Sequence, residues 1–182
     1  HFKTDFAKWI TASESYWILY PQNALRQLTL ENIRTEFAFH ADADFIPSSG
    51  LYEHLVNLTH QHWPAKKVLI IPAMEYLFKY SRYPQITKEE LLQLWREKKV
   101  QPFKLVAQIQ EHFKTDFAKW ITASESYWIP IHHERFEPYL VFRVKDALPY
   151  DERFTGGFND KVSNILAMVA SGYCIHKMLY VS

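Results

Sequence analysis

Two carboxylates stand two residues apart in the stretch Phe37-Ala38-Phe39-His40-Ala41-Asp42-Ala43-Asp44-Phe45-Ile46-Pro47. It begins apolar and β-prone and ends acidic, so negative charge collects where a strand runs out. In open α/β sheets, ligands bind at the carboxyl ends of the strands. Asp-x-Asp suits a hard divalent cation, because carboxylate oxygens are its preferred ligands. Strand alternation sends Asp42 and Asp44 to one side if extended geometry lasts that far. The ordinary alternative is a solvated turn, since the pattern is short and common.

Other residues add candidates. The apolar run Val68-Leu69-Ile70-Ile71 reads as a buried strand, and Pro72-Ala73-Met74-Glu75 puts another carboxylate near its end. Asp151 and Glu152 precede Gly156-Gly157, a turn that suits close backbone approach to a ligand. Arg26 is either a surface arginine or a fork aimed at phosphate oxygens. His54, His60 and His62 match no usual zinc spacing, and no cysteine supports them. Trp120, Tyr127 and Trp128 are aromatic enough to stack on a sugar, although buried packing is the commoner use.

The elements that must position these residues follow from periodicity. Residues 22–35 read as a helix with Asn23 at its cap and Leu25, Leu28 and Ile33 near helical spacing. Ser48 or Ser49 caps a second helix that carries Leu51, Leu55 and Leu58 up to His62. Thr87-Lys88-Glu89-Glu90 is a capping box for a third helix with Leu91, Leu92 and Trp95. Residues 137–142 read as a strand, 160–171 as a helix ended by Gly172, and 173–181 as a last strand. This alternation argues for an α/β fold with a largely parallel sheet.

With 182 residues the chain is long enough for one domain with a sizeable core. It is 48% hydrophobic and 16% aromatic, which excludes a disordered chain. A net charge of +1 gives no electrostatic case for nucleic acid or an acidic membrane. Cys174 is the single cysteine, so no intramolecular disulfide forms. No apolar run of 18 residues is present, so membrane association is expected only through a segment outside this sequence. Asn57-Leu58-Thr59 is an N-glycosylation sequon, compatible with a lumenal protein.

Residues 1–18, HFKTDFAKWITASESYWI, recur letter for letter at 112–129. Structural repeats drift and usually number three or more, so identity over 18 residues favours a recent duplication or an assembly artefact.

The ordered set Tyr20-Pro21-x-Asn23-x-Leu25-Arg26, Asp42-x-Asp44-Phe45-x-Pro47 and Ile71-Pro72-Ala73-x-Glu75 resembles glycosyltransferase family 49. The likeness continues through Thr115-Asp116-Phe117, Trp120, Phe136-Glu137-Pro138-Tyr139, Tyr150-Asp151-Glu152-Arg153-Phe154-x-Gly156 and Lys161. That is the family of the LARGE-type glucuronyltransferase domain and of β-1,4-glucuronyltransferase, and the likeness covers about residues 19–173. It implies that the copy at 112–129 is native, that 1–18 is displaced, and that 19–182 is a partial domain. The implied fold is a GT-A type, Rossmann-like glycosyltransferase domain, incomplete at both ends.

The implied activity is inverting transfer of a sugar, glucuronic acid or xylose, from a UDP-sugar donor to a glycan acceptor in the Golgi lumen, with Mn²⁺. Asp42 and Asp44 then hold the metal, and Asn23, Arg26 and Asp42 meet the donor. Glu75 and Glu137 meet the acceptor. Asp151 or Glu152 is the base, or else the pair only holds the loop through Arg153. The family's Gly-x-Gly-x-Asn-Lys stands here as Gly156-Gly157-Phe158-Asn159-Asp160-Lys161. His176 is the nearest substitute for a family histidine that helps hold the metal. Two other readings stay open. One is a truncated, inactive relative acting as a binding module. The other is a hydrolase using paired carboxylates across a sugar.

Overall fold

The structure is a computed structural model that describes residues 20–78, 86–103, 116–123, 126–129, 137–155 and 160–177. The first copy of the duplicated segment and the glycine turn at 156–157 lie outside the described residues. The elements are α1 (Gln22–Asn32), β1 (Phe37–His40), α2 (Leu51–Thr59), β2 (Lys67–Ile71), β3 (Met74–Tyr76) and α3 (Lys88–Arg96). They continue with β4 (Val100–Pro102), α4 (Phe117–Thr122), β5 (Tyr127–Trp128), β6 (Tyr139–Arg143), α5 (Asp160–Ala170) and β7 (Cys174–Lys177).

Five strands form one sheet in the order β1-β6-β2-β7-β5, and β3 pairs with β4 in a separate two-stranded sheet. The expectation of a largely parallel sheet is wrong. Only β2 and β7 run parallel, whereas β6 is antiparallel to both β1 and β2, and β5 is antiparallel to β7. The physical reason is that strand direction is set by long connections. The run Tyr139–Phe142 is buried along its length, and such a run reads alike in either direction.

Period-two alternation divides the core between the two faces of the sheet. Val68 and Ile70 of β2 and Leu140 and Phe142 of β6 meet Ile165 and Met168 of α5 on one face. Leu69 and Val141, one residue out of step, meet Leu51, Trp63 and Trp120 on the other. Leu30 of α1 packs on the first group, and Leu55, Leu92 and Phe117 of α2, α3 and α4 pack on the second. Helices therefore cover both faces of a mixed sheet, which makes the chain an α/β protein.

Local signals decide the ends. The capping box at Thr87 and Glu90 forms as read, with reciprocal bonds of 3.2 and 2.8 Å. Gly172, at φ 75°, ends α5 in the left-handed region, and the Tyr173 N–H closes back on the Met168 carbonyl at 3.1 Å. Two helix starts differ from expectation. Asn23 is inside α1, with Pro21 at the cap and no side-chain capping bond. Gly50, at φ 76°, caps α2 in place of Ser48 or Ser49. The sequon residue Asn57 is exposed on α2. No described helix is long and apolar enough to cross a membrane.

Leu69 is 1% exposed and touches the two-tryptophan group, whereas Leu28 on α1 is 58% exposed. We expect Leu69→Ala to cost about 2–5 kcal/mol and Leu28→Ala to stay within about 0.5 kcal/mol. Urea unfolding of the two variants checks both; equal costs would mean that the sheet face is not packed as described.

Candidate functional site

β1 stops at His40, and the backbone turns at once, with the Phe45 N–H closing on the Asp42 carbonyl at 3.2 Å. Extended geometry therefore does not reach Asp44. Asp42 faces inward and is half-buried, while Asp44 is exposed. The two carboxylates occupy one turn rather than one strand face.

Asp42 is gripped on both oxygens. The Lys161 ammonium donates to Oδ1 at 2.6 Å, and the Tyr139 hydroxyl donates to Oδ2 at 3.0 Å. Burial pulls the Asp42 pKa up, but the Lys161 bond and charge and the Tyr139 bond outweigh it and hold the carboxyl below its usual range. The Tyr139 hydroxyl is pushed up, first by burial and then by the Asp42 charge beside it, so it stays a donor.

A second pair lies beside the first. Asp160 opens α5, is 4% exposed, and receives the Arg26 guanidinium in an ion pair. Arg26 also donates to the Asn23 Oδ1 at 2.9 Å. The Asn23 amide donates to the Asp151 carbonyl at 3.0 Å and to the Asp160 carbonyl at 3.1 Å. Wholly buried, Asn23 fixes the start of α1 against the start of α5 and orients Arg26. Gln27 adds a tie by accepting from the Tyr150 N–H at 2.9 Å.

Arg26, Asp42, Glu137, Asp160 and Lys161 together line a polar cavity of about 400 Å³. Three residues expected to bind ligand, Arg26, Asp42 and Glu137, thus meet in one place. Glu75 lies elsewhere. It stands opposite Gln101 across β3 and β4, accepts from the Gln101 amide at 2.6 Å, and lines an apolar cavity of about 370 Å³ with Phe45, Trp120 and Tyr139. Among the described residues, Asp151 and Glu152 line neither cavity. Arg153 holds Asp151 through side-chain bonds of 2.6 and 2.9 Å, and these bonds press its carboxyl down to about 2. Holding the loop is therefore the use that the structure displays for Asp151. Glu152 is exposed.

His176 does not reach this site through the sheet. It lies in β7, opposite Leu69 and Trp128, with β2 and β6 between it and β1. Among the described residues, no group of three His, Cys, Asp or Glu side chains is arranged to hold a metal ion. The donor chemistry of Asp42 and Asp44 nevertheless fits a hard divalent cation, since both offer carboxylate oxygens. One of those oxygens already holds a cation, the Lys161 ammonium.

Sequence reasoning gave Asp160, Tyr139, His40 and Lys161 no role beyond their places in the quoted stretches. Asp160 reads locally as an ordinary acidic residue in a first helical turn. Tyr139 reads as one more apolar strand residue. Their partners lie 134 and 97 residues away, so no local signal identifies them.

Two cations and three carboxylates thus line a polar cavity beside the Asp-x-Asp turn, at the carboxyl end of a strand in an α/β protein. The family described as glycosyl-transferase for dystroglycan matches residues 3–178, and the chain belongs to that family. It is 38% identical over 156 residues to the chicken (Gallus gallus) xylosyl- and glucuronyltransferase LARGE2s, covering 85% of this chain and 21% of that protein. It is 36% identical over 156 residues to human (Homo sapiens) xylosyl- and glucuronyltransferase LARGE1, covering 85% of this chain and 20% of that protein. Against the Dictyostelium discoideum glycosyltransferase-like protein gnt14 the identity is 34% over 158 residues, or 85% of this chain and 24% of that protein. The chain thus spans a fifth to a quarter of the length of these relatives.

His40 ends β1 two residues before Asp42, with its Nδ1 3.2 Å from the Tyr150 hydroxyl. Burial and then the charges of Arg26 and Lys161 lower its pKa from 6.5 to about 4. The folded state keeps the ring neutral where the unfolded chain takes up a proton. Stability is therefore complete above pH 6.5 and falls as pH drops through the window to about 4. We expect a loss of up to about 3 kcal/mol across that window, and a shallower decline in His40→Gln. His54 and His176 remain in both proteins, and Asp42 and Asp151 titrate below the window. Urea midpoints at several pH values check this; parallel curves for the two proteins would refute it.

Proposed function

We propose that this chain forms part of a GT-A type glycosyltransferase and binds the diphosphate of a UDP-sugar in the cavity between β1, α1 and α5. The observation that carries this reading is that Arg26 and Lys161 converge with Asp42 on one polar cavity in a chain of this family. Guanidinium forks match phosphate oxygens bidentately, and an ammonium adds a point charge. Asn23 serves the donor indirectly by orienting Arg26.

The metal in this reading is Mn²⁺, held by Asp42 and Asp44. When bound, it supplies Lewis-acid stabilisation of the departing diphosphate. The chain's own residues do the rest. Arg26, clamped by Asn23 and Asp160, presents a fixed positive charge that needs no reorganisation as negative charge develops on the leaving group. Tyr139 fixes the orientation of the Asp42 carboxylate. Glu137, in the same cavity, is placed to bind a sugar hydroxyl, and Glu75 is placed to do so from the neighbouring cavity. In single, inverting displacement a base must take the acceptor hydroxyl's proton. With Asp151 committed to Arg153, Glu152 is the candidate for that base. The relatives' names point to glucuronic acid or xylose as the transferred sugar, and the family resemblance suggests a glycan as acceptor and the Golgi lumen as the place of action.

Calorimetry of UDP with and without Mn²⁺ tests this. We expect binding to require the metal and to weaken at least about tenfold in the Asp42→Asn/Asp44→Asn double variant. UDP binding that ignores both the metal and the two carboxylates would remove the basis of the reading.

A further inference from the structure

Both oxygens of the Asp42 carboxylate hold a partner. The Lys161 ammonium sits 2.6 Å from Oδ1 with 14% of its side chain exposed, and the Tyr139 hydroxyl takes Oδ2. The same ammonium lies 5.7 Å from the Tyr139 ring centroid, so the aromatic face also favours a cation there. We propose that Lys161 occupies the place of the divalent cation on Asp42 and is exchanged for it, and that this exchange couples metal binding to diphosphate binding. The proposal rests on the donor-site reading above.

The argument is one of charge. The polar cavity holds Arg26 and Lys161 against Asp42, Glu137 and Asp160, a net of one negative charge with all five ionised. A metal on Oδ1 competes with the ammonium there, because two cations at contact distance repel. A divalent cation held by Asp42 and Asp44 displaces Lys161, adds two positive charges of which Asp44 offsets one, and separates the ammonium from its carboxylate. Asp160 offers the displaced ammonium little, since Arg26 and the Asn23 bracket already hold that neighbourhood. A largely buried ammonium without a counter-ion is costly. A diphosphate beside the metal restores the balance and receives the ammonium. Metal therefore binds alone against the competition of Lys161, and together with UDP it binds with that lysine's help.

The test measures Mn²⁺ binding from the paramagnetic resonance of the free ion, and UDP binding by calorimetry. Wild type, Lys161→Gln, Lys161→Met and Lys161→Arg are compared. We expect Lys161→Gln and Lys161→Met to bind Mn²⁺ alone about tenfold more tightly than wild type, and to bind UDP with Mn²⁺ more weakly. The factor by which UDP raises Mn²⁺ affinity equals the factor by which Mn²⁺ raises UDP affinity. It should shrink several-fold in both neutral variants and persist in Lys161→Arg. A merely structural lysine would weaken both ligands together and would not tighten the metal. Unchanged or weaker Mn²⁺ binding in folded Lys161→Gln overturns the exchange while leaving the donor site standing. If the neutral variants do not fold, loss of the coupling in Lys161→Arg overturns it instead. Absence of Mn²⁺ binding in every protein overturns both the exchange and the metal reading.

Discussion

The ion pair between Arg26 and Asp160 is the constraint on which the rest of the site depends. Each residue lies in the first turns of its helix, and together they tie α1 to α5 where these two elements flank the end of β1. A buried pair of this kind repays its desolvation only when the remaining hydrogen-bonding capacity is met. Asn23 meets it here, accepting from Arg26 and donating to the carbonyl of Asp160 itself. Asp160 also stands at the N-terminal end of α5, where the helix dipole favours a negative charge. Two linked interactions thus fix one guanidinium, and a guanidinium already fixed has little ordering cost left to meet on binding. The resemblance sharpens the point. Where the family pattern has asparagine ahead of its lysine, this chain has Asp160, which adds a full charge to the clamp.

The sheet supplies the platform. β6 lies between β1 and β2 and is buried along most of its length, so its first residue, Tyr139, has a fixed position. Because β6 runs antiparallel to β1, Tyr139 emerges at the end where β1 delivers Asp42. A parallel β6 would have put that hydroxyl at the other edge. The mixed topology is therefore what brings Tyr139 to Asp42, and the antiparallel pairing has a direct consequence for the chemistry.

The parts legible in the sequence were those with local causes. The capping box of α3, the glycine end of α5 and the apolar run of β2 each depend on a few neighbouring residues. Asp42 and Arg26 stood out as candidates because their types and settings suit metal and phosphate chemistry, and Glu137 only through the resemblance. Glu75 shows the limit: a carboxylate past the end of a strand resembles Asp42 in sequence, yet the short β3–β4 pairing carries it into a different, apolar cavity. Asn23 shows another limit. Its position suggested a helix cap, and only the docking of α5 reveals that its amide is spent on two distant carbonyls. Strand direction and long-range ion pairs were not legible, because chain connections and packing decide them.

Tyr139 lines the apolar cavity and touches the polar one through its hydroxyl bond to Asp42, and this has an electrostatic consequence. Its ring faces the apolar cavity with Phe45, at a centroid distance of 4.6 Å, while its hydroxyl reaches Asp42. An apolar wall lowers the local dielectric and so strengthens every charge interaction that Asp42 makes. The raised pKa of Tyr139 keeps its proton in place throughout the neutral range, so Oδ2 of Asp42 is always served by the same donor. The Lys161 ammonium is the partner on Oδ1. Each carboxylate oxygen carries two lone pairs, so the bonds from Tyr139 and Lys161 orient the Asp42 carboxylate without exhausting its acceptors.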